Sequence, residues 1–511
     1  MTHFKTLCGT TAIVTALSAT TAFADVTAAE VWGDWKEYMT NFGYEISATE
    51  NMSGKTLTVS DIVMTVEIPD TDQDIGFNMG TVTFTETGDG SVSVTLPESM
   101  PMNMNFEAAP GENISLEAAI TQSGFNMIVS GESGDMNYIY GAASIGMNIS
   151  KFEVTGVKGD APTVNNVSFA MNDVSGSTHA TMKDGMRSYD QATKSSGMVF
   201  NIDVAGPESD PGVLKMKGTI ADIVANGVVS MPDGIKGQFA TNMSAAIEAG
   251  FAMKGGYTFG AGQSTFNFAA DEGVIDGTSS SEGGTLDVAM SAAEGLVYGG
   301  TSNGLKANVT VPQLPMPIDF TMAESGFKLA MPITAGEELK DFGLGIRMID
   351  FSVPDIAYAM IDPMGQLPRD PVTIDIDLSG KAKMFASLMD QKAMASGDAP
   401  GEVHAATINT LNLKVAGAEL NGSGDFTFDN SDKTTFPGMP APEGALDLKL
   451  AGANGLMDKL VAIGILPEQQ AMSVRMMMGL FAVAGEEPDT LTSKIEVTGD
   501  GQVLANGQRL K

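Results

Sequence analysis

The chain has 511 residues, 43% of them hydrophobic and 18% charged, with 63 acidic and 28 basic residues and a net charge of −35. That length and apolar fraction support a substantial core and exclude wholesale disorder. A surface this negative repels phosphate backbones and anionic lipid headgroups, so neither nucleic-acid binding nor electrostatic adhesion to a bilayer is expected.

The N-terminus has the pattern of a secretory signal over residues 1–24. Lys5 is the only positive charge, residues 7–19 are mildly apolar, and Ala22-Phe23-Ala24 fits the small-x-small cleavage rule, placing the cut between Ala24 and Asp25. The only cysteine, Cys8, falls inside that segment, so the mature chain has no disulfide or thiol chemistry. No other stretch reaches eighteen apolar residues, and no transmembrane segment is expected. The expected location is the periplasm.

In chain order, residues 27–43 predict a helix. Thr27 and Glu30 have capping-box spacing, Trp32, Trp35, Met39 and Phe42 share one face, and Gly43 ends it. Strands follow. Apolar residues alternate at Leu57 and Val59, at Ile62, Met64, Val66 and Ile68, and at Val82 and Phe84. They continue at Val92, Val94 and Leu96, at Met102, Met104 and Phe106, and at Phe125, Met127 and Val129. Period two with Thr, Ser and Asn between means a sheet with one dry and one wet face. The alternation goes on through Met136, Tyr138 and Tyr140, then Ile145, Met147 and Ile149, and reaches Val204. Residues 181–193 predict a long connection or a short helix.

From 218 to 250 the pattern loosens, with helical spacing at Ile220, Ile223 and Val224 and a helix expected over 238–248. Strands resume at Phe251, with Gly255-Gly256, Gly283-Gly284 and Gly299-Gly300 read as turns. Short helices are expected over 355–362, 381–390, 455–463 and 467–481, and Asn506-Gly507 signals a hairpin.

The expected fold is mainly β: large antiparallel sheets, curved or sandwich-like, with an N-terminal helix and a few C-terminal helices. Two related β-rich halves are expected, 25–235 and 236–511. A weak repeat supports them: Val94-Thr95-Leu96-Pro97 followed by Met102, Met104 and Phe106 parallels Val309-Thr310-Val311-Pro312 followed by Ile318, Phe320 and Met322.

No catalytic or metal constellation survives its context. Beyond the signal, only His179 and His404 remain, too few for a zinc site of ordinary ligands. Gly300-Thr301-Ser302-Asn303-Gly304 imitates a nucleophile elbow, but alternation continues after it, and it reads as a hairpin turn. Gly54-Lys55-Thr56 lacks the upstream glycine of a phosphate loop. Asp70, Asp72 and Asp74 imitate a calcium loop, but Ile75 and Thr81 stand where its glycine and glutamate belong. Methionine numbers 35, and its alternation with Val, Phe and Ile favours core filling over copper ligation. No cofactor is expected, and no enzyme.

At the C-terminus a set of segments resembles one family. They are Leu378-Ser379-Gly380-Lys381-Ala382-Lys383, residues 422–430, Phe436-Pro437-Gly438, Met476-Met477-Met478-Gly479 and residues 503–508, with Glu30-Val31-Trp32 and Trp35 fitting at the other end. The family is the alphaproteobacterial domain of unknown function 2125. The resemblance implies export and an envelope role, and no catalytic residue. Two functional readings stand. In the first, the dry face of the sheet is a groove for a lipid or other amphiphile, lined by Met102, Met104, Phe106, Ile318, Phe320 and Met322. In the second, that face is a closed core and the protein is a structural or interaction component of the envelope.

Overall fold

The computed structural model describes residues 25–67, 74–109, 111–155, 162–207, 211–233, 242–314, 316–395 and 397–510. Residues 1–24 and the aspartates at 70 and 72 lie outside these, as does the side chain of Phe106. All strands among the described residues belong to one antiparallel sheet.

Helix α1 (Ala28–Asn41) starts at the expected capping box: Thr27 and Glu30 satisfy each other's backbone N–H. β1 (Glu45–Ser53), β2 (Thr56–Glu67) and β3 (Asp74–Glu86) pair in order. Then the sheet divides into two tiers. β3 pairs with both β4 (Val92–Thr95) and β5 (Ser99–Ala109). β4 continues to β7 (Asn126–Glu132), β5 to β6 (Glu112–Ser123), and β8 (Asp135–Thr155) rejoins the tiers by pairing with both. β9 (Thr163–Lys183), β10 (Met186–Ala205) and β11 (Val213–Pro232) run through both tiers at 20–21 residues each. Residues 181–193 are therefore a β-hairpin, turning at Asp184-Gly185, rather than a connection or helix. The helical spacing around Ile220 lies in β11.

The division then recurs. β11 pairs with β12 (Ala252–Phe259) and β13 (Gly262–Ala270); β12 continues to β15 (Gly283–Ser291), β13 to β14 (Gly273–Ser281), and β16 (Gly295–Thr310) pairs with both. The topological repeat is thus β3–β8 with β11–β16. It differs from the sequence match, whose second copy falls on β16 and β17 (Ile318–Met331). Helix α2 (Met243–Glu248) lies between β11 and β12. Hydrogen bonding from β11 to β12 and β13 carries the sheet across the expected boundary at 235.

β17, β18 (Lys340–Phe351), β19 (Val372–Met384), β20 (Gly401–Val415), β21 (Ala418–Asp429) and β22 (Ala441–Ala451) then follow as simple neighbours. Between them come the short helices α3 (Asp355–Ala359) and α4 (Gln391–Met394). The helix expected over 381–390 is instead the end of β19 and a turn. Helices α5 (Ala453–Ala462) and α6 (Glu468–Phe481) precede β23 (Val483–Ala484) and β24 (Thr490–Val497). β24 pairs with β22, and β25 (Val503–Ala505) and β26 (Gln508–Arg509) close the sheet around the expected Asn506-Gly507 turn.

The two tiers meet along a crease. In β8 the apolar side carries Met136, Tyr138 and Tyr140 in one tier and Ile145 and Met147 in the other, a slip of one in the period of two. β9, β11 and β16 slip likewise. A residue in the left-handed region absorbs the slip on several strands: Gly80 (φ 70°), Asp173 (φ 48°), Asp222 (φ 49°) and Gly304 (φ 58°). Aspartate tolerates this conformation, and because neighbouring strands slip together the pairing register runs unbroken across Asp173, Asp222 and Gly304.

Glycines expected as turns lie inside strands: Gly255-Gly256 in β12, Gly283-Gly284 in β15, and Gly299-Gly300 in β16. Four internal glycines, Gly284 among them, make room for a ring on the neighbouring strand. Tyr140 lies over Gly176, Phe200 over Gly218, Phe259 over Gly284 and Phe342 over Gly380, each ring occupying the space a Cβ would take. These cross-strand pairs cover the missing side chain with an aromatic face. Gly176→Ala should therefore destabilise by about 1–3 kcal/mol, by forcing the Tyr140 ring away and breaking its 2.7 Å hydrogen bond to Thr193. In a Tyr140→Leu background the cost should fall by at least about 0.5 kcal/mol in a double-mutant cycle. Equal costs in both backgrounds would refute the pairing.

Candidate functional site: an apolar trough with covered ends

One contiguous core gathers residues from β2 to β17 around α1 and α2, among them Val59, Phe84, Val129, Tyr138, Met231, Ile247 and Ile333. Twelve strands laid flat would spread over about 50 Å, several helix diameters, so the sheet curls round the helices. The core occupies the first tier and fills that end of the apolar face.

Beyond it the face stays open. Register carries one apolar row across the sheet: Val288, Tyr298, Leu329, Leu344, Leu378 and Ile408 on successive strands. A parallel row runs Leu286, Gly300, Phe327, Ile346, Ile376 and Leu411. Tyr298, Phe327, Leu344 and Ile346 keep 41–52% of their surface in solvent. The opposite face carries ion pairs instead: Arg347 with Glu324 at 2.6 Å and with Asp375 at 3.4 Å, Lys328 with Asp377 at 3.7 Å, and Lys414 with Glu419 at 3.5 Å. At the far end α6 covers the face. Val474, Met477, Met478 and Phe481 oppose Leu448, Leu450, Leu491 and Ile495 around a cavity of about 470 Å³.

The lining residues expected from sequence fall on the second tier. Met102 and Ile318 stand at opposite ends of one register row, joined through Ala118, Ile149, Val167, Ile202, Met216, Phe266, Gly277 and Val309. They share a face but lie nine strand spacings apart, about 43 Å along the sheet. Met104 is half-buried beside Met102; Phe320 stacks on Phe351 with ring centroids 6.0 Å apart, and Met322 follows it on β17. Phe106 is on β5, with its side chain outside the described residues. A neighbouring row, Met100–Ile120–Met147–Phe169–Phe200–Gly218–Ser264–Ser279–Ala307–Phe320, has small residues between two phenylalanines. Those last six residues and their strand neighbours line a depression of about 890 Å³.

Sequence reasoning missed the cavity at the other end of that row. A pocket of about 390 Å³ lies between α1, through Trp35, Tyr38 and Met39, and a sheet wall that includes Phe77, Met79, Met100, Ile120, Met127, Tyr138 and Tyr189. First-tier and second-tier residues share this cavity, so the apolar face continues through the crease. A buried clasp holds α1 over it. Arg187, 5% exposed, pairs with Asp34 and Glu37, one helical turn apart, and the Tyr138 hydroxyl donates to Asp34 at 2.5 Å. Trp32 Nε1 donates to Glu50 at 2.6 Å and Lys36 reaches the same oxygen at 2.8 Å; these two hydrogen bonds hold the Glu50 carboxyl below its usual range. Tyr138 was legible only as one of an alternating apolar set, and Arg187 as one charge in a polar stretch.

The dismissed motifs stay apart. Gly300–Gly304 lies within β16, continuous strand rather than the expected hairpin turn, and Ser302 is paired in the sheet opposite Gly284. His179 meets Asp135 at 2.7 Å and His404 meets Glu402 at 3.0 Å. Among the described residues no three His, Cys, Asp or Glu side chains group as metal ligands, and no helix is long and apolar enough to cross a membrane.

The fold and the site define a single-layer β-trough with helical covers at both ends. The family described as an uncharacterized protein conserved in bacteria (DUF2125) matches residues 247–510, more than half of the chain, and the chain belongs to it. The match begins at the end of α2 and spans β12 to β26. No curated protein and no solved structure matches the chain.

Breaking the clasp tests its place in the fold. Arg187→Ala leaves Asp34, 9% exposed, without its cation, and should cost about 3–5 kcal/mol. Adding Asp34→Asn should recover part of the loss in a thermal melt. An unchanged melting temperature in Arg187→Ala would show that α1 is held by its apolar face alone.

Proposed function

We propose that the protein binds a lipid or other amphiphile along the apolar trough, as an exported protein of the periplasm, and that it is a carrier or holder rather than an enzyme. The observation that carries this reading is the uncovered stretch from β16 to β19. Monomers seldom expose contiguous apolar patches above about 600 Å², and larger ones mark binding surfaces. Here the exposed residues form register rows on a concave sheet, continuous with cavities under α1 and α6. Methionines and flat-lying rings give the floor a soft, adaptable lining suited to a flexible chain. The alternative, an interaction component of the envelope, draws on α6, whose outer side presents Met472, Met476 and Leu480, each at least 63% exposed.

The test is native mass spectrometry of protein purified from the periplasm, compared with an Ile346→Asp variant. Ile346 is 52% exposed, so the charge should change stability by less than about 1 kcal/mol while placing a carboxylate in the middle of the trough. The wild type should carry an amphiphile that the variant has lost, at an unchanged melting temperature. A wild type free of amphiphile that also fails to take up added acyl chains would assign the face to a protein partner instead.

A further inference from the structure

Helix α6 covers the far end of the apolar face without packing down on it. Val474, Met477 and Phe481 oppose the sheet yet keep 39%, 55% and 42% of their surface exposed, and a gap of about 470 Å³ lies beneath them. Polar contacts hold the helix at that distance. Arg475 donates to Asn454 Oδ1 at 3.2 Å and pairs with Asp458 on α5. The Phe481 carbonyl accepts from Ser493 Oγ at 2.6 Å and from Asn506 Nδ2 at 3.0 Å. Among the described residues that line the gap, Ser493 is the only polar one, and its proton is committed to that carbonyl. The lining therefore offers a ligand neither a charge nor a free side-chain donor.

Both rows of the trough run into this gap. The row through Leu344, Leu378 and Ile408 continues to Gly424, Leu446 and Ile495. The row through Ile346, Ile376 and Leu411 continues to Gly422, Leu448 and Ser493. Leu448 and Ile495 belong to the floor of the gap, so one apolar surface joins it to the open stretch. A polar head placed there would lose its hydration without replacement, whereas apolar cavities hold apolar molecules in preference to water. We propose that the gap under α6 receives the terminal hydrocarbon end of a linear acyl chain, whose polar end stays outside it in the trough. The volume falls within the range of small-molecule pockets, and the half-exposed side chains of α6 supply a driving force that grows with each methylene buried. This inference rests on the trough binding amphiphiles and adds which end of the ligand goes where.

The chain's only two tryptophans, Trp32 and Trp35, are on α1, at the other end of the apolar face. Phe481→Trp places a third at the gap, and the wild type supplies the reference emission. Delipidated protein would be titrated with methyl hexadecanoate brominated either at its terminal carbon or at the carbon beside the ester. The terminal bromine should quench the added emission of Phe481→Trp, and the bromine beside the ester should not. Val474→Trp, which fills the gap from the half-exposed side of α6, should melt as the wild type does and bind the ester at least about 10-fold more weakly. Ester bound to Phe481→Trp without preferential quenching by the terminal bromine, or bound equally by wild type and a folded Val474→Trp, would overturn the inference and leave the trough reading intact. Failure of the wild type to bind the ester at all would overturn both.

Discussion

A β-strand sends alternate side chains to opposite faces, and a single-layer sheet has no second sheet against which to bury the apolar one. That constraint governs this molecule. With strands of up to 21 residues hydrogen-bonded edge to edge, the apolar face is long, while the helices available to cover it are short. The sheet answers in two ways. It curls round α1 and α2 at one end and lies under α6 at the other; between them it remains uncovered, its exposed area reduced only by rings folded flat over glycines. The charged side chains pair on the outer face, so solubility and the apolar trough are products of the same alternation.

The unequal cover has consequences for stability. Side chains with almost no exposure, such as Trp32, Phe84, Val59, Met231 and Ile333, lie in the core around α1 and α2. From β18 onward cross-strand pairs and backbone hydrogen bonds do most of the holding, with side chains half-buried. Stability is then distributed along the sheet as in other extended architectures, where each unit depends on its neighbours. The Arg187 clasp belongs to this buried end.

Much of this was legible in the sequence, and what was not has definite physical causes. The helix at Thr27 was readable because a capping box and an aromatic stripe are local signals. The strands were readable because alternation is local too. The long strands were not, since the one-residue slip at Asp173, Asp222 and Gly304 looks like an interruption until all strands are seen to slip together. Internal glycines were read as turns because a glycine's place inside a strand depends on what faces it from the neighbouring strand, a ring over Gly284 and a backbone carbonyl over Gly256, and register is a non-local property. For the same reason Met102 and Ile318 could be nominated for one face but not placed at opposite ends of one row. Tyr189 gave no signal, and Arg187 only that of one charge in a polar stretch, because the contacts of both exist only once α1 is brought over β10.

The character of the floor bears on what kind of recognition the molecule can perform. Rows of Leu, Ile and Met, smoothed by rings over glycines, offer contact without fixed geometry. Dispersion and burial on such a surface scale with chain length and discriminate weakly between chains differing by a methylene. Selectivity has to come from polar groups, since leaving a buried donor unpaired penalises a ligand that cannot accept from it. On the apolar side the polar groups gather where α1 closes over the sheet, and the open stretch around Ile346 has none of comparable burial.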